Sequence, residues 1–195
     1  MFYDDYDRFW LLTWTTYGTW LPGDKRGFVS PVPDDSTGKR IKNNIVDTPY
    51  DADVPQLRNE AIANLKCDPV YLSTTQSEAI IDQLMETAAH RKWLLLATAI
   101  MRNHIHVVVG VPGDPNPENM LRDFKAYASR RLNKHWPKPV SGTWWTRSGS
   151  KRKLPTELAV IDAVAYVRDQ ANPLVVRIHD QIQERLGESH GERGA

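Results

Sequence analysis

The chain has 195 residues, a formal net charge of +1 and 41% hydrophobic residues, which suits one domain carrying a long insertion or a tail and excludes an intrinsically disordered protein. A single cysteine, Cys67, excludes an internal disulfide and a Cys-rich zinc centre. No apolar run approaches the ~20 residues that span a bilayer, and the acidic "MFYDDYDRFW" lacks the basic-then-apolar layout of a signal peptide, so a cytoplasmic protein with no membrane attachment is expected.

The first element, "RFWLLTWTTYGTW", is aromatic and β-branched and predicts a strand over about Phe9 to Thr16. Composition then shifts. Between Leu21 and Pro69 lie six of the 13 prolines and few apolar residues, the pattern of a long, partly ordered insertion at about 21–70. Leu57, Ala61 and Leu65 recur at helical spacing inside it and predict one short helix. "TQSEAIIDQLMETAAHRK" reads as a helix with a Thr75–Glu78 capping box and an Ile80, Leu84, Ala88 stripe. "KWLLLATAI" and "HIHVVVGV" read as two strands of a hairpin turning at Arg102-Asn103. The next helix has Asn116 as cap, Pro117 at its first position, and Leu121, Phe124, Ala128 and Leu132 facing inward. A short aromatic and basic segment, "TWWTRSGSKRK", leads to a third long helix in "LPTELAVIDAVAYVRDQ". The expected domain covers 1–173, followed by a C-terminal extension over 174–195 that opens with an apolar stripe and ends polar. This order of elements predicts an α+β fold, an antiparallel sheet with helices packed on one face.

Three features carry candidate chemistry. The first is the pair His104 and His106, which alternation places on one face of a strand, with Ile105, Val107 and Val109 on the other. Such a pair can share one metal ion, or be two hydrogen-bonded polar residues at a strand end. Two imidazoles are too few for a structural zinc site and suit an open site that also takes oxygen ligands. The second is the third helix, where Val160, Val164 and Val167 form a core side while Ala159, Ala163, Tyr166 and Gln170 form another stripe. Small residues there let another surface approach a phenol and a carboxamide; the plain alternative is an amphipathic helix with a half-buried tyrosine. The third is charge. From Arg122 to Lys153 stand Arg122, Lys125, Arg130, Arg131, Lys134, Lys138, Arg147, Lys151, Arg152 and Lys153 against Asp123 alone. This block suits a polyanion, although a charge run by itself is also an ordinary solvated face. Trp136, Trp144 and Trp145 lie among these charges, as stacking platforms for unpaired bases or as core residues.

The segment "MRNHIHVVVGV" resembles the histidine–hydrophobe–histidine (HUH) motif of single-tyrosine transposases. "FKAYASRRLN" is similar to the helix that follows it in that family, "TWWTRSGS" to the Trp-rich segment before the tyrosine helix, and "AYVRDQANP" to the Tyr-x-x-x-Asn/Gln pattern. The subgroup most resembled is that of the REP-associated tyrosine transposases. The chain departs from the family pattern in carrying Arg102 where proline is usual, and in placing Asn172-Pro173 two residues beyond Gln170.

The resemblance implies a ferredoxin- or RRM-like HUH fold and a metal-dependent enzyme that nicks and rejoins single-stranded DNA during transposition. Tyr166 would be the nucleophile, forming a 5′-phosphotyrosine. His104, His106 and Gln170 would hold Mg²⁺ or Mn²⁺. The implied partner is single-stranded or hairpin DNA, contacted by Arg122, Lys125, Arg130, Arg131, Lys134, Trp144, Trp145, Arg147, Lys151, Arg152 and Lys153, with monomer or homodimer left open. Two other readings compete: a non-catalytic hairpin-binding relative, and an RNA-binding sheet of the RRM type. The second would carry aromatic residues on its central strands, where this chain carries histidines.

Overall fold

The aromatic and β-branched run behind the acidic terminus forms strand β1 (Arg8–Thr15). The computed structural model describes residues 5–24, 31–33, 40–42, 55–180 and 182. Inside the insertion, β2 (Pro31–Pro33) pairs antiparallel with β3 (Arg40–Lys42), and α1 (Pro55–Ala63) is the short helix expected there. Residues 25–30, 34–39 and 43–54 of the stretch read as partly ordered lie outside the described residues. The insertion returns to the core through Leu65 and Pro69, which close over Gly18. Gly18 has φ +74°, a conformation that side-chain-bearing residues rarely adopt.

Helix α2 (Thr74–Arg91) starts earlier than the Thr75–Glu78 pattern suggests. Its cap is Ser73, whose hydroxyl accepts from Gln76 N at 3.3 Å while Gln76 Oε1 accepts from Ser73 N at 2.9 Å. The motif is the expected box, two residues upstream, because Ser73 holds the extended backbone that a cap requires. After α2 come β4 (Leu94–Ile100) and β5 (His104–Val111), paired from Ile100↔Ile105 outward as the predicted hairpin. Helix α3 (Pro117–His135) is capped by Asn116 and buries Leu121, Phe124, Ala128 and Leu132, as its periodicity requires. The last elements are β6 (Ser150–Lys153), α4 (Glu157–Arg168) and β7 (Val175–Ile178).

The five long-range strands form one antiparallel sheet in the order β6-β1-β5-β4-β7, giving the α+β fold expected, with β5 at its centre. Alternation divides the core in two. Leu12, Trp14, Ile105, Val107 and Val109 point to the face covered by α2 and α3. Leu11, Ala97, Ala99 and Val108 point to the other, where Val160, Val164 and Val167 of α4 meet them. The single helical layer foreseen from sequence therefore holds for α2 and α3, while α4 lies on the opposite face. Its short apolar side fits over the small residues Ala97 and Ala99. The sheet also runs past residue 173, where the sequence reading ended the domain: Val175–Ile178 pairs along Ala97–Ile100 and covers what would be an open edge. Among the described residues no helix is long and apolar enough to cross a membrane.

Candidate active site

The hairpin turn delivers His104 as the first residue of β5, and the pleat brings His106 to the same side, with ring centroids 4.9 Å apart. Each ring is held at Nδ1. Asn103 Oδ1 lies 2.7 Å from Nδ1 of His104, and Thr13 Oγ1 lies 2.7 Å from Nδ1 of His106. Thr13 can reach because it is the register partner of His106 across β1 and β5. With both Nδ1 atoms engaged, Nε2 is the nitrogen each ring would turn toward a cation. His106 is only 5% exposed. Its pKa is pushed down to about 3, first by burial and then by His104 beside it, so its imidazole stays neutral, the form that binds metal.

The tyrosine arrives from the helix on this face. Thr156 caps α4 by accepting from Ala159 N, and Val160, Ala163, Val164 and Val167 seat it on the sheet. This docking sets the Tyr166 ring 5.3 Å from the His106 ring, edge to face at 73°. Tyr166 remains 51% exposed, so one side faces the imidazoles and the other solvent. Gln170 departs from the helical neighbour expected of it. The helix stops at Arg168, because Asn172 (φ +54°) and Pro173 cannot continue it. Gln170 instead donates from Nε2 to the Tyr166 carbonyl at 2.9 Å, capping the helix end and leaving its Oε1 as the atom it could offer a ligand.

Among the described residues no group of three His, Cys, Asp or Glu side chains converges. The donors brought together on this face are therefore two imidazoles, that of His106 neutral, a pair that fits Mn²⁺ or Mg²⁺ when oxygen ligands complete the coordination. Other tyrosines stand elsewhere. The ring of Tyr127 lies 4.8 Å beneath the Arg130 guanidinium on α3, in the layer on the other side of the sheet, and Tyr17 Oη accepts from Lys66 N at 2.8 Å.

The basic block is divided by the fold. Arg122, Arg130 and Lys134 are exposed on α3, across the sheet from the histidines, and Arg131 pairs with Glu86 of α2 at 3.4 Å. Lys125 is not a surface contact. Its Nζ donates to the carbonyls of Thr146, Arg147 and Ser148 at 2.5, 3.3 and 3.2 Å. Burial, and then Lys151 nearby, push its pKa down to about 8, with Glu118 opposing. Lys151 is bound to Glu118 at 2.5 Å, while Arg147, Arg152 and Lys153 are exposed.

Trp144 and Trp145 correct the sequence reading. Both are 4% exposed, and their indole N–H groups donate to Asn133 Oδ1 and Ser129 Oγ. Trp145 also packs edge to face on Trp14, so these rings are core residues with no open face for a base.

Sequence reasoning missed Thr13 and Asn103. Asn103 is adjacent to His104 and could have been noticed, whereas Thr13 is 93 residues from His106 and enters only through strand register. Thr13→Val keeps the shape and removes the hydroxyl, and is expected to weaken Mn²⁺ binding by roughly 10-fold, the usual scale for an outer-shell partner. Titration calorimetry would check this: Thr13→Ser should restore affinity, and equal affinity of parent and Val variant would show that the hydroxyl does not set the ring.

A five-stranded antiparallel sheet that sets a histidine–hydrophobe–histidine strand beside one helical tyrosine has the architecture of the single-tyrosine HUH proteins. The sequence model of the family described as "Transposase IS200 like" matches residues 56–170, and the chain belongs to that family. Two solved structures resemble it. One is a REP-associated tyrosine transposase bound to a REP hairpin, 12% identical, with a TM-score of 0.46 over 83% of this chain and 66% of that one. This chain thus spans just under two thirds of that protein's length. The other is a proposed transposase from Deinococcus radiodurans R1, 15% identical, with a TM-score of 0.42 over 85% of this chain and 93% of that one. No curated protein matches the sequence.

Proposed function

We propose that the protein nicks and rejoins single-stranded or hairpin DNA through a 5′-phosphotyrosine at Tyr166. The observation that carries this reading is the Tyr166 ring against His106, with both imidazoles held at Nδ1. The phenolic oxygen attacks the scissile phosphorus, the bond to the 3′ oxygen breaks, and a free 3′-OH departs while the 5′ side stays on the tyrosine. The phenol is partly exposed and its proton can pass to solvent. His104, His106 and Gln170 would hold Mg²⁺ or Mn²⁺, which when bound neutralises charge developing on the phosphate and steadies the leaving oxygen. His106 contributes a neutral, preoriented ring, and Thr13 and Asn103 keep the two rings from turning. The phosphodiester energy is retained in the tyrosyl ester, so the same site can run backwards when a 3′-OH returns.

Tyrosine and histidines belong to one chain, so this reading needs no partner subunit to complete the site. It treats residues 1–178 as one transposase-type unit with the 21–70 segment inserted. End-labelled single-stranded DNA and RNA of the same sequence, incubated with and without Mg²⁺ or Mn²⁺, test it. Cleavage confined to DNA plus metal is the expected result. Tight binding without cleavage would favour a non-catalytic hairpin binder, and a preference for RNA would overturn the assignment.

A further inference from the structure

The face of the sheet that carries the histidines is covered unevenly. Among the described residues helix α4 packs chiefly on β4, β5 and β7, and the β6 edge is left exposed at Ser150 and Arg152. Strand register identifies what that edge displays. Ser150 pairs with Thr13, and Thr13 with His106, so one row crosses three strands from the edge of the sheet to the histidines. Two strand spacings, roughly 10 Å, separate its ends. In the next row Arg152 pairs with Leu11, on the same face.

Alternation sends its neighbours the other way. Lys151 pairs with Leu12 and reaches Glu118 of α3, and Lys153 pairs with Trp10, which packs in the α2–α3 core. The "KRK" run thus presents one guanidinium to the catalytic face and two ammonium groups to the opposite one. Strand β6 is also held close. A Cβ on Gly149 would lie 2.6 Å from the Thr13 carbonyl and 2.9 Å from Leu121, so only glycine lets the chain enter β6 this near to β1. Donors are available along the row. When His106 donates from Nδ1 to Thr13, the Thr13 hydroxyl proton is left to point away from the ring. Ser150 and Arg152 are exposed, and Arg152 makes no ion pair among the described residues.

We propose that the DNA strand runs from the His104/His106 pair across β1 and out over β6, its phosphates received by Thr13, Ser150 and Arg152. This path rests on the DNA-cleaving role argued above. It assigns Arg152, and neither Lys151 nor Lys153, to the backbone of the bound strand. Guanidinium and hydroxyl donors suit a phosphodiester read without regard to base.

Adjacent residues of like charge and exposure make a sharp test. Single-stranded oligonucleotide binding is measured against salt concentration for the full chain carrying Tyr166→Phe, which cannot cut, and then with Arg152→Ala, Arg152→Lys or Lys153→Ala added. Arg152→Ala is expected to weaken binding at low salt by roughly three- to tenfold and to lower the log–log salt slope by about 0.7. Arg152→Lys should keep the slope, and Lys153→Ala should match the parent. A loss at Lys153 equal to or larger than that at Arg152, or no loss at either, overturns the path while leaving the cleavage reading intact. A parent chain that binds no single-stranded DNA overturns both.

Discussion

Tyr166→Phe is expected to bind DNA and metal as the parent does, yet to form no covalent adduct and to release no 3′-OH. Only the phenolic oxygen is removed. The ring that packs beside His106 stays, and because half the side chain is exposed, stability should change by no more than about 0.5 kcal/mol. Cleavage should fall by roughly 10³-fold or more, since among the described residues Tyr166 is the tyrosine whose ring packs beside a histidine of the pair. Denaturing gels of protein incubated with labelled DNA, followed by peptide mapping of the trapped conjugate, read the result directly. Tyr127 is the rival that matters, because it sits on basic α3. Its ring is stacked under Arg130 on the far side of the sheet from both histidines. An adduct mapped there would remove Tyr166 from the mechanism.

Loss of the imidazoles should be as complete for cleavage but should leave DNA binding in place. His104→Ala is the cleaner change, because its ring lies at the strand end. His106 is buried, so His106→Gln is preferred to alanine, which would leave a cavity and strand the Thr13 hydroxyl. Both variants are expected to abolish Mn²⁺- and Mg²⁺-dependent nicking, and undiminished nicking by the double variant would refute the metal assignment. His106 adds a stability signature of its own. Its pKa in the folded chain is about 3, below the ~6.5 of a free imidazole, so the unfolded chain takes up the proton first. The stabilising effect of keeping this ring neutral is complete above ~6.5 and is lost as pH falls toward about 3. Denaturant titrations at neutral and mildly acidic pH should therefore show a smaller acid loss for His106→Gln than for the parent. Equal losses would mean that the ring is not buried in its neutral form.

Periodicity made the elements legible because each depends on neighbours in the chain. The Leu121, Phe124, Ala128, Leu132 stripe, the Asn116–Pro117 start of α3 and the turn at Arg102-Asn103 are local patterns, and all appear in the fold. Of the Leu57, Ala61, Leu65 spacing, the first two lie in α1, while Leu65 falls beyond its end at Ala63. The same locality explains the misplacements. Thr75–Glu78 and Ser73–Gln76 both satisfy the capping pattern, and only the backbone conformation at Ser73 selects between them. Gln170 fits a helical stripe after Tyr166 until the turn through Asn172 ends the helix beneath it.

What the sequence by itself determined is the inventory: two histidines on one strand face, a tyrosine over small residues on a helix, and a basic block with three tryptophans. Alternation and helical period dictate these faces whatever surrounds them. Tertiary structure decided the pairings. Register across β1 and β5 brought Thr13 to His106, and the docking of α4 on the face opposite α2 and α3 brought Tyr166 to the histidines. It also reassigned charges and rings that composition treats alike: Lys125 beneath the 146–148 carbonyls, Lys151 on Glu118, Trp144 and Trp145 in the core, Arg152 on the face of the sheet that carries the histidines. These outcomes depend on which strand lies beside which, and that is settled by burying both faces of one sheet at once, a constraint that no single stretch of sequence contains.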